Sequence, residues 1–158
     1  MLEVFLILLL FVASSLWVNL FKIGTATRDS MANAFDDACN AGTPPARIEH
    51  RVGAQPTNVG DASSGSLLGT NIASNPMFGA SSTGVITAGS IANDSSADNS
   101  GTAGYFRIYT GAGGDTAALA QGNTGNVSGT FDMEFDNEVI VAGGVIAISA
   151  MTVTVPIS

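Results

Sequence analysis

The sequence predicts a mostly β protein: a single β-sandwich or jelly-roll-like domain, preceded by an apolar N-terminal helix and a short amphipathic helix. Only 11% of the 158 residues are charged, against about a quarter in typical proteins, and 19 are glycine. After residue 45, apolar residues recur with a period of two and turn residues separate the runs. Small polar surfaces with many turns favour short strands, because exposed helices usually carry Lys, Glu and Arg.

The length of the chain predicts one globular domain with an appendage. Residues 1–23 are expected to form an apolar helix for assembly or membrane insertion. Residues 24–45 are expected to form an amphipathic helix and a linker. Residues 46–158 contain the short alternating runs and are expected to form the β-sandwich domain.

The first segment, LEVFLILLLFVASSLWVNLFKI, contains only three strongly polar residues, Glu3, Asn19 and Lys22. As a helix rising about 1.5 Å per residue, it could span a bilayer core. A helix that is apolar on every side must be buried on every side, in lipid or in protein. Leucine and alanine residues in this segment are spaced 4, 3, 4, 3 and 4 positions apart, as in the contact stripe between helices that pack in a bundle. The predicted assembly interface is Leu2, Leu6, Leu9, Ala13, Leu16 and Leu20.

The order of charges around this segment distinguishes three interpretations, which are a cleaved signal peptide, a membrane anchor and a helix buried in protein. A cleaved signal peptide needs positive charge before its apolar run, whereas here Glu3 comes first and Lys22 and Arg28 follow. A membrane anchor is the second alternative, and its C-terminal positive flank would place the β domain on the cytoplasmic side. We favour burial in protein, by copies of the chain or by a larger assembly.

The segment TATRDSMANAFDDACNAG predicts the second helix, with Thr27 as N-cap and a stop at Gly42, before two prolines. Cys39 is the only cysteine, so no internal disulfide can form, and we interpret it as a small buried hydrophobe. The predicted apolar face consists of Met31, Ala34, Phe35, Ala38 and Cys39.

Eight strands are predicted, over residues 46–52, 66–73, 84–87, 105–110, 116–121, 130–136, 138–142 and 145–156. Glycine-rich turns are expected at residues 113–115 and 143–144. In the first strand, Ile48 and His50 are predicted to share one face, and Glu49 and Arg51 the other. In the last strand the apolar phase changes, so either both faces are covered or a bulge lies near Ala150.

The strand over residues 130–136 has the clearest alternation in the chain. Its three large apolar residues are predicted to point into the core and its three acids into solvent. Calcium sites usually draw their ligands from a turning loop, so we interpret the acids as a solvated face. The inward set is Phe131, Met133 and Phe135, and the outward set is Asp132, Glu134 and Asp136.

The residue types that usually bind nucleic acid, hold metal ions or perform catalysis are few in this chain. The net charge is −8 and four of the five basic residues precede residue 52, which disfavours nucleic acid as a partner. His50 is the only histidine, and we interpret it as a strand residue hydrogen-bonded to a neighbour. No nucleophile elbow or phosphate loop occurs. We therefore predict no enzyme activity, no catalytic residues, no metal, no cofactor and no small-molecule substrate.

Five stretches carry a resemblance to a known family: residues 48–56, 65–70, 75–79, 101–108 and 152–156. Their order resembles that in a family of small virion-associated β-domain proteins encoded in tailed phages and prophages. The resemblance covers about residues 46–157 and leaves out the apolar N-terminus. It implies a virion-associated β domain with no known catalytic residues.

The function we expect is that of a structural protein of a phage virion, assembling through its N-terminal helix with copies of itself and other virion proteins. Capsid decoration or cement, a head fibre and a tail-associated subunit are all compatible with the pattern. One alternative is a pilin-like subunit of an extracellular filament, with a helix core and a β head. Pilins usually carry glutamate at the fifth mature position, whereas here Phe5 stands there. A membrane-anchored binding module is the other alternative.

Overall fold

The computed structural model describes residues 22–42, 45–110, 118–127 and 131–157. In these ranges the chain forms one helix, and the strands that follow it confirm the mostly β class. Residues 1–21 of the predicted N-terminal helix, with all six residues of its assembly interface, lie outside them, and the last two residues of that prediction, Lys22 and Ile23, are not helical. The elements are α1 (Thr25–Cys39), β1 (Arg47–Val52), β2 (Leu67–Ala73), β3 (Val85–Thr87), β4 (Ile91–Ala92), β5 (Gly101–Tyr109), β6 (Ala118–Asn126), β7 (Met133–Phe135), β8 (Val139–Ile140) and β9 (Thr152–Thr154).

Seven of the strands form one curled sheet in the order β4-β2-β1-β5-β6-β7, with β8 paired to β5. All neighbours are antiparallel except β6 and β7, which run parallel. Strands β3 and β9 form a separate antiparallel ribbon. Asp94, just after β4, exchanges backbone hydrogen bonds of 3.0 and 2.9 Å with Ile146, so the C-terminal stretch runs from the β4 edge to the ribbon.

Several strands differ from their predicted extents. Strand β5 begins at Gly101 rather than at residue 105, and β6 continues to Asn126 through a Gly- and Asn-rich stretch. Backbone pairing explains the extension of β6, because Gly122 lies opposite Phe106 in the β5–β6 ladder. The hydrogen bonds of a ladder come from the backbone, so a residue without a side chain can take part in it. The last predicted strand is reduced to a bridge at Ile146 and the three residues of β9. The two residues of β4 were not predicted.

The change of apolar phase near Ala150 is explained by a break in the strand. Ser149 and Ala150 are both exposed and lie outside any ladder. Before the break, Ile146 is buried beside Leu68 in a small second core. After it, Met151 and Val153 pack against the main core. Ile148, before the break, also packs against the main core, so the irregular segment shifts the apolar phase while the same core stays covered.

The main core lies between one face of the large sheet and a second layer made of α1 and the ribbon. The central strands contribute Ile48, Phe106 and Ile108, which share this face because Ile48 pairs with Ile108. The ribbon contributes Ile86, which is fully buried. Cys39 is 1% exposed, which confirms its interpretation as a small buried hydrophobe.

Helix α1 begins at Thr25 with Gly24 as N-cap, so the prediction of Thr27 as the cap is wrong. The predicted apolar face is also rotated: Met31 is 48% exposed and Ala34 is exposed. The stripe that packs inward consists of Arg28, Ala32, Phe35 and Cys39. Arg28 fits there because its guanidinium donates to the carbonyls of Val155, at 2.8 Å, and of Thr83.

A second stripe of α1 explains this rotation. Four side chains with 4-3-4 spacing accept hydrogen bonds from backbone N–H groups of an irregular stretch, residues 77–84. Three of these bonds satisfy partly buried backbone donors that no strand pairs, the fourth is exposed, and together they fix the orientation of the helix. The bond from Gly84 is the main reason that the pKa of Asp29 lies below its ordinary value. The acceptors are Asp29 for Gly84 (2.6 Å), Asn33 for Ser81 (2.9 Å), Asp36 for Phe78 (2.9 Å) and Asn40 for Met77 (2.8 Å).

The opposite face of the large sheet is buried under the loop of residues 53–66, and Arg107 lies at its centre with 0% exposure. Its Nε and Nη2 donate to the side-chain oxygen of Gln121 at 3.1 and 2.8 Å. Its Nη1 donates to the carbonyl of Asp61 at 2.8 Å and to the hydroxyl of Ser63 at 3.2 Å. A buried cation is costly unless it is fully hydrogen-bonded, so these contacts hold the loop on the sheet.

Two tyrosines on the same face fasten the loop further. The hydroxyl of Tyr105 accepts from the N–H of Ser64 at 2.9 Å, and that of Tyr109 lies 2.7 Å from the hydroxyl of Ser63. At the end of the loop, a Cβ on Gly65 would lie 2.0 Å from the carbonyl oxygen of Val52, and its φ of +67° suits glycine. The loop therefore approaches the sheet as closely as backbone atoms allow.

The predicted alternation of β1 is correct, but both of its faces are buried. Glu49 is 5% exposed and forms ion pairs of 3.0 Å with Arg47 and 2.9 Å with Arg51. His50, on the face of the main core, is 0% exposed. The sequence predicted the two faces and did not predict the loop that covers the second one.

We predict that Arg107→Met destabilises the domain by about 3 kcal/mol or more, because loop carbonyls and Gln121 lose charged donors in a buried site. Val59→Ala, an exposed change in the same loop, should stay within about 0.5 kcal/mol. Urea unfolding measures both, and limited proteolysis should cut the Arg107→Met variant first within residues 53–66. Equal stability of the two variants would contradict this role.

A neighbouring pair of aspartates tests the docking of α1. Asp36→Ala should cost about 1 to 2 kcal/mol, because the buried N–H of Phe78 loses its acceptor. Asp37→Ala, one residue along on the exposed side of the helix, should cost less than about 0.5 kcal/mol. Thermal unfolding of the two variants measures the difference in their stability. Equal stability of the two would mean that apolar contacts alone hold the helix.

Candidate interaction groove

A groove of about 640 Å³ lies between the β7 edge of the curled sheet and the C-terminal stretch that includes β9 of the ribbon. We call it the edge groove. One border is formed by residues 131–135, including β7, and the other by residues 147–154. Its floor is apolar, formed by Phe106, Ile108 and Ala120 of the large sheet, and Phe35 of α1 also lines it.

The groove exists because both of its borders are strand edges. Strand β7 pairs with β6 alone, and β9 pairs with β3 alone. Within the part of the chain that the structure describes, the outer edge of each has no strand partner. Such an edge presents backbone donors and acceptors and can take up a further segment.

The position of β7 at this edge overturns part of the predicted core. Phe131 is 39% exposed, so its prediction as a buried residue is wrong. Its ring packs across Gly125 of β6, where an added Cβ would lie 2.3 Å from the ring. Met133 and Phe135 do point inward, but both are only half-buried, because no described residue closes the groove above them.

The three acids on the other face of this strand are exposed, as predicted. Asp132 is held by Asn123 through two reciprocal side-chain to backbone hydrogen bonds, of 3.0 and 2.9 Å. No group of three His, Cys, Asp or Glu side chains within the described ranges could hold a metal ion. Asp132 and Glu134 line the edge groove and Asp136 follows them, which makes this border acidic.

A smaller groove of about 280 Å³ continues from the first, sharing Phe135 and Ala147 with it. Three valines that line it are unusually exposed: Val139 by 53%, Val141 by 63% and Val145 by 64%. Contiguous apolar residues in concave surfaces are typical of interaction sites. The two grooves together form one extended surface that combines apolar side chains with polar ones, among them Ser149, Thr152 and Asn137, and that has an acidic border.

His50 lies in the core behind this surface. Its Nε2 is 2.8 Å from the side-chain oxygen of Asn71, which confirms the predicted hydrogen bond to a neighbour. Its ring meets that of Phe135 edge to face, with centroids 5.5 Å apart. Burial lowers the pKa of His50, against the opposing effects of Asn71 and Asp94, so the ring is neutral at neutral pH.

Burial raises the pKa of Cys39 to about 12, so its thiol stays protonated at neutral pH. A thiol of this kind is a poor nucleophile. Cys39 is therefore part of the packing of α1.

No helix within the described ranges is both long enough and apolar enough to cross a bilayer. The segment that suggested a membrane anchor lies outside those ranges.

Comparison of the chain with models of protein families, with curated proteins and with solved structures gives no match. The edge groove is the feature that sequence reasoning missed. Its signal was present in the Phe131, Met133 and Phe135 stripe, but a stripe alone does not distinguish a central strand from an edge.

Two phenylalanines give a direct test of the groove. Phe106→Ala empties a site that is 7% exposed and should cost about 3 kcal/mol or more. Phe131→Ala should cost about 1 kcal/mol or less, because its ring is already partly in water. Chemical denaturation of both variants measures the difference. Equal losses would mean that Phe131 belongs to the core.

Proposed function

We propose that the chain is a structural subunit of a phage particle, with its β domain displayed on the surface and its apolar N-terminal segment inserted between subunits. Capsid decoration, a head fibre and a tail-associated position all belong to this proposal. The partners are copies of the chain and other virion proteins, and the location is the virion.

The observation that carries the proposal is where the resembling stretches fall in the fold. Residues 48–56, 65–70 and 101–108 include most of β1, β2 and β5, the central strands of the large sheet. Residues 75–79 include Met77 and Phe78, whose N–H groups dock α1. The stretches thus include the paired central strands as well as exposed residues of the loops and of β9, which is the distribution that a shared domain type predicts.

A sandwich-like architecture is part of the same proposal. The main core lies between the large sheet and a layer formed by α1 and the β3–β9 ribbon. Two layers around one core are the usual way for a sheet to bury an apolar face. We infer that in the particle this two-layer domain acts as a rigid head on the N-terminal segment.

The physical case for assembly comes from apolar surface that needs a partner. Residues 4–21 contain no charged side chain. Leaving their large apolar side chains in water would cost about 1.5 to 3 kcal/mol each, more in sum than the ~5 to 15 kcal/mol that stabilises a domain. The exposed valines beside the grooves add a second apolar surface on the domain itself.

Electron microscopy of negatively stained native material, labelled with an antibody against the β domain, tests the proposal. We expect the label on icosahedral or tailed particles. Label on thin filaments would replace the proposal with the pilin-like alternative. Recovery of the chain only in a bilayer fraction would replace it with the membrane-anchored alternative.

Charge introduced into the N-terminal segment tests the assembly step. Leu9→Asp and Leu16→Asp should each lower incorporation into particles at least about tenfold, because an unpaired buried charge costs well over the ~1.4 kcal/mol of one decade. Asn19→Asp adds the same charge at an already polar position and serves as the control. Incorporation equal to that of the unmodified chain in both leucine variants would contradict a protein-buried segment.

A further inference from the structure

We propose that the outer edge of β7 is a docking site for an extended, basic segment of another protein, which pairs with β7 as an added strand in the edge groove. The segment alternates apolar side chains, which point to the floor of the groove, with lysine or arginine side chains, which lie beside the acids of β7. The proposal goes beyond the function proposed above. It concerns the β domain alone, whether the chain belongs to a particle, a filament or a membrane.

The outer edge of β7 supplies the backbone contacts. Strand β7 pairs with β6 on one side, and no other described strand pairs with it. An unpaired strand edge presents backbone donors and acceptors and can accept a further strand. On the side of the groove floor, Met133 and Phe135 are only half-buried. A neighbouring strand with apolar side chains on that face would cover both of them.

The size of the edge groove suits a short strand. One strand residue takes up about 160 Å³, given a rise of ~3.3 Å, a strand spacing of ~4.8 Å and a sheet spacing of ~10 Å. The volume of the groove, about 640 Å³, therefore matches about four residues. The border along which the added strand lies, residues 131–135, has a similar length.

The charge of the border selects a basic occupant. Asp132 and Glu134 line the edge groove, Asp136 lines the smaller groove, and all three are exposed. No ion pair among the described residues includes them. They lie on the face of β7 opposite its two apolar side chains. An added strand with a period of two therefore meets apolar side chains on one face and carboxylates on the other, and opposite charges on neighbouring strands stabilise the pairing.

The basic residues of this chain are not available to supply such a segment. All five lie in the described ranges, and three of them, Arg28, Arg51 and Arg107, are buried. Arg47 is half-buried in an ion pair, which leaves Lys22 as the one exposed cation of the described ranges. A second copy that paired through its own β7 edge would bring like charges together, which is unfavourable. The partner is therefore a different protein.

Peptide binding to the full-length chain tests the docking. The probe is a short peptide of alternating lysine and valine that carries an uncharged dye, and fluorescence anisotropy at low salt follows its binding. Two further peptides keep these side chains but are N-methylated at every second residue, in one phase or the other. Successive N–H groups of a strand point to opposite edges, so one phase removes the donors that face β7 and the other leaves them. A last peptide has glutamate in place of lysine.

We expect the unmodified lysine peptide to bind, the glutamate peptide not to bind, and one N-methylated peptide to bind at least about tenfold more weakly. Failure of the lysine peptide to bind, or equal binding of the glutamate peptide, would overturn the docking. If both N-methylated peptides bind as well as the unmodified one, charge alone attracts the peptide and strand pairing is overturned.

Matched pairs of acid substitutions locate the site on the chain. Glu134→Gln combined with Asp136→Asn removes two carboxylates beside the grooves and should weaken binding at least about fivefold. Asp37→Asn combined with Asp98→Asn removes the same charge at two exposed positions outside both grooves and should change binding less than about twofold. Circular dichroism checks that both double variants keep the fold. Equal affinity of the two double variants for the lysine peptide would overturn the β7 edge as the site.

Discussion

The buried guanidinium of Arg107 is the constraint on which the large sheet depends. A cation that is removed from water needs hydrogen bonds in every direction, and strands alone do not supply them. The loop of residues 53–66 provides the carbonyls of Asn58 and Asp61 and the hydroxyl of Ser63, and Gln121 of β6 provides its side-chain oxygen. The loop must therefore close over the sheet. That closure leaves β1 and β5 buried on both faces and makes them the centre of the fold.

The other face of the sheet is organised by the same kind of interaction. Helix α1 offers a stripe of Asp and Asn oxygens to the irregular backbone of residues 77–84, where no strand pairs the N–H groups. Side-chain to backbone hydrogen bonds thus hold a loop on one face and a helix on the other. Only 11% of the residues are charged, and four of them, Arg28, Glu49, Arg51 and Arg107, are buried among such hydrogen bonds.

With both faces covered, the edge groove is the place where the described fold stays open. Phe106, Ile108 and Ala120 of the large sheet line it, and the exposed acids Asp132 and Glu134 lie on its border. The exposed valines beside the smaller groove add apolar surface whose contact with water is unfavourable.

The sequence by itself determined the local structure of this protein. The period of two predicted β1, β2 and β3 to within a residue or so, because alternation reports which side chains share a face. The sequence also predicted that His50 is hydrogen-bonded to a neighbour and that Cys39 is buried and unreactive. A lone histidine or cysteine usually serves packing, because a catalytic or metal site needs several such residues. Tertiary structure decided what covers each face. Arg107 is buried because a distant loop supplies oxygens, α1 is rotated because Asp and Asn side chains find backbone donors, and Phe131 is exposed because β7 lies at an edge.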